Sequence, residues 1–459
     1  MSDRTAPPSY APPGAPRSVP PSHPWRKAAV LVVLLVLGIG TALAWHGSIA
    51  PVAPPARTSF DSKLIQRGAE LAAIGNCAGC HTAAGGTPFA GSTPLKTPFG
   101  TLYGPNITPD ANDGIGSWSE EAFRRALREG VSRDGSQLYP AFPYDHFTRI
   151  QDADISALYA YVMTRDPVAG KAPANDMKFP MNFRFLVAFW NLLYLDQGPK
   201  QADAAQTPEW NRGAYLVDSL GHCTACHSPR NALGAEKRDL AFTGGEIDGW
   251  LATPLGANSP SPTAWTKEAF AAYLRTGIAD DHAIAAGPMQ DVTLALSHAS
   301  EADVNAMATY LATLAPATPE RQAREAAARK RAESPTLAAL QPGPQAAAGD
   351  EAQLKLGAQI YADSCARCHD LGRGPSSSAG LRLPLAQALY LPTPNNLIQI
   401  VRDGVHPPLG HTGRFMPQFN GLTDEQMTAL LVWLRRQATD APAWTDIAKA
   451  LDETRKVAP

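Results

Sequence analysis

Three stretches of the chain carry the same pattern of apolar and polar positions. Each opens on a run with helical spacing, as at Leu64, Ala69, Leu71 and Ala72. The runs contain Gly68-Ala69-Glu70-Leu71, Gly213-Ala214-Tyr215-Leu216 and Gly357-Ala358-Gln359-Ile360. Each stretch closes on a second apolar helix: Ala157-Leu158-Tyr159-Ala160-Tyr161-Val162, Ala306-Met307-Ala308-Thr309-Tyr310-Leu311 and Ala429-Leu430-Leu431-Val432-Trp433-Leu434. Polar residues lead into the closing helices. Ser300-Glu301-Ala302-Asp303 and Thr423-Asp424-Glu425-Gln426 read as N-caps with acidic or amide residues in the first turn. The aromatic positions of the closing helices are expected to pack on the opening helix. Alternating Val/Ile/Thr runs are few, so the chain is expected to be mostly α. It falls into three tandem units at 59–166, 209–315 and 353–438, a period that means repeated domains rather than a solenoid.

The segments between the units differ. Residues 167–208 include an aromatic, apolar run from Met181 to Leu195, with Arg184 inside it and Pro180 before it. It reads as an ordered connector packed between domains, or as a partner-facing patch, and not as a second membrane span. Residues 316–352 are rich in Ala, Pro and charge. Pro319 to Glu333 reads as a solvated helix and the rest as a tether, while residues 439–459 form a polar tail. At the N-terminus, residues 1–27 form a Pro-rich leader ending in Arg26 and Lys27. Residues 28–45 are uncharged and apolar. As a helix they extend roughly 27 Å, enough to cross a bilayer with the basic pair inside. A cleaved signal segment ending near Ala42-Leu43-Ala44 is the alternative.

Each opening helix runs into a Cys-x-x-Cys-His motif: Cys77-Ala78-Gly79-Cys80-His81, Cys223-Thr224-Ala225-Cys226-His227 and Cys365-Ala366-Arg367-Cys368-His369. The first cysteines lie 146 and then 142 positions apart (77, 223, 365), and the motifs use all 6 cysteines of the chain. Two thiols at this spacing reach the two vinyl groups of one porphyrin, and the adjacent histidine falls under the iron as its proximal ligand. Zinc would need two ligand pairs close in sequence. Three covalent haems c are therefore expected. Their attachment occurs outside the cytoplasmic membrane, which places the chain on the periplasmic side of the inner membrane, anchored or peripheral. With 40 basic and 42 acidic residues and a net charge of −2, the chain carries no electrostatic footprint for nucleic acid.

The opposite iron ligand is expected in the loop before each closing helix. A thioether there raises the potential and a second imidazole leaves it lower. In the third unit Phe415-Met416-Pro417 offers Met416, with His406 and His411 as weaker competitors. In the second, Gly287-Pro288-Met289 offers Met289, flanked by His282 and His298. The first unit reads Leu138-Tyr139-Pro140-Ala141-Phe142-Pro143-Tyr144-Asp145-His146-Phe147, with Phe142 where a Met is expected. His146, four residues on, is the expected distal ligand. The alternative is a five-coordinate iron with His146 paired to a carboxylate. Asn106-Ile107-Thr108 is read as a turn over the first haem rather than a glycosylation site, and Met163, Met307 and Met427 as core residues of the closing helices.

Beyond residue 59 the chain resembles the triheme cytochrome c subunits of membrane-bound periplasmic dehydrogenases. The stretches that carry the resemblance are the three motifs, Asn106-Ile107-Thr108-Pro109-Asp110, Leu138-Tyr139-Pro140-Ala141, Trp190-Asn191-Leu192-Leu193 and Gly221-His222 through Ser228-Pro229-Arg230-Asn231. The resemblance implies three class I-like cytochrome c domains behind an N-terminal membrane helix. It implies electron transfer from a molybdopterin, quinoprotein or flavoprotein catalytic subunit to ubiquinone or a terminal oxidase. The Phe142-to-Phe147 loop resembles the branch paired with molybdenum hydroxylases of aldehydes or N-heterocycles rather than the alcohol and sugar branch. A stand-alone electron shuttle, and an enzyme with an open iron site in the first unit, are the competing readings. No substrate site is expected on the chain itself.

Overall fold

In the computed structural model the described residues are 45–342, 350–372, 380–406 and 415–456, with Trp25, Ala28, Ala29, Leu31 and Gly38. The expected membrane segment 28–45 lies almost wholly outside them. Among the described residues no helix is long and apolar enough to cross a membrane. Met1–Trp45 and His46–Pro459 form separate units, and the architecture described here is that of the second.

That architecture is mostly helical and repeats one motif. The opening helix Ser62–Ile74 crosses the closing helix Asp152–Met163, Pro208–Asp218 crosses Glu301–Ala312, and Glu351–Ile360 crosses Asp424–Ala438. Each opening helix is started by a side-chain cap: Asp61, Thr207 or Asp350 accepts from a backbone amide of its first turn. The closing helices start as the sequence predicts, with Ser300 accepting from the Asp303 amide and Thr423 and Gln426 forming a reciprocal capping box.

At each crossing sits a glycine. A Cβ on Gly68, Gly213 or Gly357 would be driven into the carbonyl oxygen of Ala157, Ala306 or Ala429. The same three glycines lie against the β-carbons of Tyr161, Tyr310 and Trp433. The aromatic residues of the closing helices therefore pack on the opening helices, as their spacing implies.

The first two units share a single core. Leu71, Ile155 and Leu158 of one pack with Leu216, Val304 and Met307 of the other. At the rim, the arginine preceding each crossing glycine reaches the same two aspartates. Arg67 binds Asp303 at 2.5 Å and approaches Asp154 at 3.8 Å, and Arg212 binds Asp303 at 2.8 Å and Asp154 at 3.3 Å. Each unit contributes one arginine and one aspartate, so the contact is close to self-complementary. The third unit has its own core around Tyr361, Leu389, Leu430 and Trp433.

Strands are short. Pro94–Thr97, Gly100–Tyr103 and Asp176–Met177 make an antiparallel sheet, and Gly245–Ile247 pairs with Trp250–Ala252. The helix Pro319–Ala332 forms where expected, but it is not wholly solvated: Ala328 and Ala332 are buried with Leu385. The connector forms the helix Leu186–Tyr194. Its two faces differ. Val187 and Ala188 are buried, and Asn191 accepts from the Tyr144 hydroxyl at 2.6 Å, while Phe189, Leu192 and Leu193 face solvent.

Candidate functional site

Each Cys-x-x-Cys-His sequence forms one helical turn: Cys77–His81, Thr224–His227 and Ala366–His369. The turn brings both thiols and the imidazole together. None of the six cysteines is in a disulfide. Burial, with a smaller push from a neighbouring Cys or Asp, raises the Cys77 and Cys223 thiols to about 12 and Cys365 to about 11.

The three histidines are held identically. His81 Nδ1 bonds the Pro105 carbonyl at 2.7 Å, His227 Nδ1 that of Thr253 at 2.7 Å, and His369 Nδ1 that of Leu381 at 2.9 Å. A carbonyl only accepts, so Nδ1 carries the proton and Nε2 keeps its lone pair. Burial lowers all three below the ordinary imidazole range, against the pull of the carbonyl bond, so the rings are neutral. A neutral ring fixed through Nδ1 with a free Nε2 is the state an iron requires.

The loops that carry the carbonyls are themselves held. Asn106, buried next to Pro105, donates to the Val168 carbonyl at 2.7 Å, and its Oδ1 accepts from the Thr108 amide at 2.9 Å. This Asx turn is the loop expected from Asn106-Ile107-Thr108. In the third unit the chain returns so close to the ring that a Cβ on Gly380 would lie 2.7 Å from His369 Nδ1. The donor set therefore fits covalent haem at all three places: paired thiols, a neutral oriented imidazole, and no competing metal-type ligand within the turn.

Met289 is half-buried at the start of the helix Pro288–Leu296, which Gly287 introduces at φ 54 against the Trp250 ring. Met416 is half-buried against the third core and exchanges backbone hydrogen bonds with Val405 at 2.8 and 2.9 Å. Met163, Met307 and Met427 are buried in their closing helices. His282 is buried and bonds the Ala264 carbonyl at 3.0 Å. His298 and His406 are exposed, and His411 lies outside the described residues.

His146 is found in the arrangement of the alternative reading, paired to a carboxylate. It is buried at the junction of the first two units, and both ring nitrogens face protein partners. Nε2 lies 2.7 Å from Glu236 Oε1, and Nδ1 lies 3.2 Å from the Asp218 carbonyl. No nitrogen is left for an iron unless the Glu236 bond breaks. Burial alone would lower this imidazole, but the Glu236 bond and the charges of Asp145 and Glu236 outweigh it and hold it above the ordinary range. Phe142 lies half-buried against Phe147, ring centroids 5.4 Å apart. It follows the Leu138–Gly130 backbone bond as Met289 follows the matching Ala285–Gly277 bond.

Sequence reasoning missed Glu236, Asp218 and His222 as partners of this loop. His222, lowered to about 4 by burial and then by the charge of His146, packs its ring 6.4 Å from His146. Nothing local marks these residues, since Glu236 lies 90 positions from His146.

The motifs of the first two units adjoin. A Cβ on Gly75 would touch Leu220 at 3.1 Å and Cys77 Sγ at 3.4 Å. The third unit meets the second on its other side. Asn396 exchanges bonds with the Leu251 backbone at 2.8 and 3.0 Å, and Gln290, next to Met289, donates to the His406 carbonyl at 2.5 Å.

Residues 65–166 match the family described as cytochrome c, and residues 352–434 that described as cytochrome C oxidase, cbb3-type, subunit III. A nicotinate dehydrogenase subunit of Pseudomonas putida is 43% identical over 421 residues, 91% of this chain but only 34% of that relative. This chain thus spans about a third of that relative's length. The gluconate 2-dehydrogenase cytochrome c subunit of Pantoea cypripedii is 36% identical over 414 residues, 86% of this chain and 90% of the relative. The fructose dehydrogenase cytochrome subunit of Gluconobacter japonicus is 33% identical over 446 residues, 94% and 90% of the two chains. With the last two relatives matched over almost their whole length, the chain belongs to the family of cytochrome c subunits of dehydrogenases.

Proposed function

We propose that the chain is an electron-transfer subunit with three haems c in three tandem cytochrome c domains. It passes electrons from a dehydrogenase catalytic subunit to ubiquinone or a terminal oxidase at the periplasmic face of the inner membrane, to which residues 28–45 anchor it. The observation that carries this reading is the threefold repeat of one arrangement: two thiols, a neutral imidazole bonded through Nδ1 to a carbonyl, and a free Nε2. Haem supplies the one-electron chemistry when bound. The chain's residues would fix it covalently and hold the proximal ring.

Met289 and Met416 are the proposed distal ligands of the second and third haems. For the first, the hydrogen bonds of His146 favour the alternative of a five-coordinate iron held by His81, with His146 paired to a carboxylate. The second unit is proposed as the middle of the wire, because the first unit adjoins its Cys-x-x-Cys-His side and the third adjoins its Met289 side. The 43% identity to a nicotinate dehydrogenase subunit, together with Phe142, favours a partner acting on aldehydes or N-heterocycles over an alcohol or sugar dehydrogenase.

Detergent extraction followed by affinity purification of the tagged chain tests this. A co-purifying dehydrogenase subunit whose substrate reduces the haems supports the proposal. A chain recovered alone, and not reduced by any candidate substrate in extracts, speaks for a free shuttle.

A further inference from the structure

The connector carries more exposed apolar surface than its packing requires. Phe179, Phe183, Phe185, Phe189, Leu192 and Leu193 are each between 37% and 81% exposed. The rings of Phe179, Phe183 and Phe185 pack on one another, with the Phe183 centroid 6.0 Å from Phe179 and 5.8 Å from Phe185. The helix Leu186–Tyr194 bears no charge, whereas Lys178 and Arg184 flank the aromatic turn before it. A contiguous apolar face of this kind on a folded protein marks an interaction surface.

Its position indicates what covers it. The loop 131–139 of the first unit holds the patch from one end: Arg184 donates to the Gln137 carbonyl at 3.1 Å, and the Tyr139 hydroxyl donates to the Met181 carbonyl at 2.9 Å. The same loop, with Arg125 of the helix Glu120–Glu129 before it, holds residues 46–49, the first after the apolar run 28–45. The Ile49 amide donates to the Arg133 carbonyl at 2.8 Å, Arg133 donates to the Ile49 carbonyl at 3.0 Å, and Arg125 donates to the Gly47 carbonyl at 2.7 Å. Residues 46–49 are therefore strapped to the loop that also bears the aromatic patch. An uncharged face of Phe and Leu, with Trp190 and Tyr194 and flanking cations, has the composition of an element lying in a membrane interface.

We propose that the face formed by Phe179, Phe183, Phe185, Phe189, Leu192 and Leu193 seats in the lipid surface and sets the orientation of the first two units on the membrane. This rests on the reading of residues 28–45 as an anchor. The test uses the full holoprotein in phospholipid nanodiscs. Haem attachment consumes the native cysteines, so Phe183→Cys, Phe189→Cys and Leu193→Cys each introduce the one free thiol for a nitroxide label.

Collision with oxygen should exceed collision with a water-soluble nickel chelate severalfold at these sites, and not at a label on exposed Lys330. Water-like accessibility at all three sites in a chain that resists carbonate extraction overturns the docking proposal and leaves the anchor standing. Release of the chain by carbonate overturns the anchor. Labels shielded only when a dehydrogenase subunit or a second copy is added assign the patch to that protein and overturn the lipid reading. Phe189→Glu with Leu193→Glu gives a second readout: weaker shielding at the Phe183 label with haem spectra unchanged.

Discussion

Replacing His146 by Ala separates two roles that predict opposite results. In the structure the ring pairs with Glu236 at 2.7 Å, and the two side chains are only 4% and 9% exposed. Removing one partner of a buried pair leaves the other charge uncompensated, at about 3–5 kcal/mol. Glu236 keeps a hydrogen bond from Thr224 and the nearby charge of Arg230, which places the expected loss at the lower end, about 3 kcal/mol. For a cooperative unit of about 150–250 residues each kcal/mol moves Tm by roughly 2–4 °C, so the drop should be about 6–12 °C. The assay is thermal unfolding of the holoprotein by circular dichroism, beside low-temperature spectra of the oxidised haems. All three haem spectra should stay unchanged. Glu236→Gln should cost a similar amount, and the double variant should cost less than the sum of the two.

The pH dependence carries the same signature. His146 is raised in the folded state, so its contribution is complete below the ordinary value of 6.5 and is lost as pH rises through the raised one. Burial pushes Glu236 up, but the His146 bond and charge overcome this and hold it low. Its contribution is complete above the ordinary value of 4.5 and is lost as pH falls through the depressed one. The difference between wild type and His146→Ala should peak between these two values and shrink on either side. A changed spectrum at one haem with an unmoved Tm would refute this reasoning and restore His146 as an iron ligand.

Gly213→Ala should destabilise despite the better helix propensity of Ala. The gain is about 1 kcal/mol, whereas a Cβ lying 2.6 Å from the Ala306 carbonyl carbon forces the helices apart at about 3 kcal/mol. A Tm equal to or above wild type would contradict this. Asp303→Asn removes the charge shared by Arg67 and Arg212 and should cost about 2–3 kcal/mol in urea unfolding; no loss would mean that the network is incidental. Met289→His and Met416→His should each lower the potential of one haem by on the order of 100 mV, within the roughly 0.8 V that axial ligands span. A redox titration unchanged by either would remove that methionine as a ligand.

What was legible in the sequence is what local chemistry decides. The Cys-x-x-Cys-His turns, the caps at Ser300 and Thr423, and the packing of Tyr161, Tyr310 and Trp433 on the opening helices all follow from spacing within one helix or between a helix pair that repeats. The carbonyls that orient the proximal rings were not legible, since Pro105, Thr253 and Leu381 share no residue type and lie at different offsets from their histidines. Nor was the shared core of the first two units, because its contacts, and those of its rim, join residues far apart in the chain, Arg67 and Asp303 by 236 positions. Phe142 was visible as a departure from Met. The fate of His146 was not, because its partners Glu236 and Asp218 belong to the next unit. The connector's composition was equally consistent with burial and exposure, and only the tertiary position of Asn191 against Tyr144 assigns a face to each.

The most direct test of three attachment sites is the haem count of the membrane-extracted full chain, read by pyridine haemochrome against protein and by intact mass. Three covalent haems per chain are expected, falling to two when Cys77 and Cys80, Cys223 and Cys226, or Cys365 and Cys368 are replaced by Ala. Two haems in the unaltered chain, or a count indifferent to one of these pairs, would contradict the account.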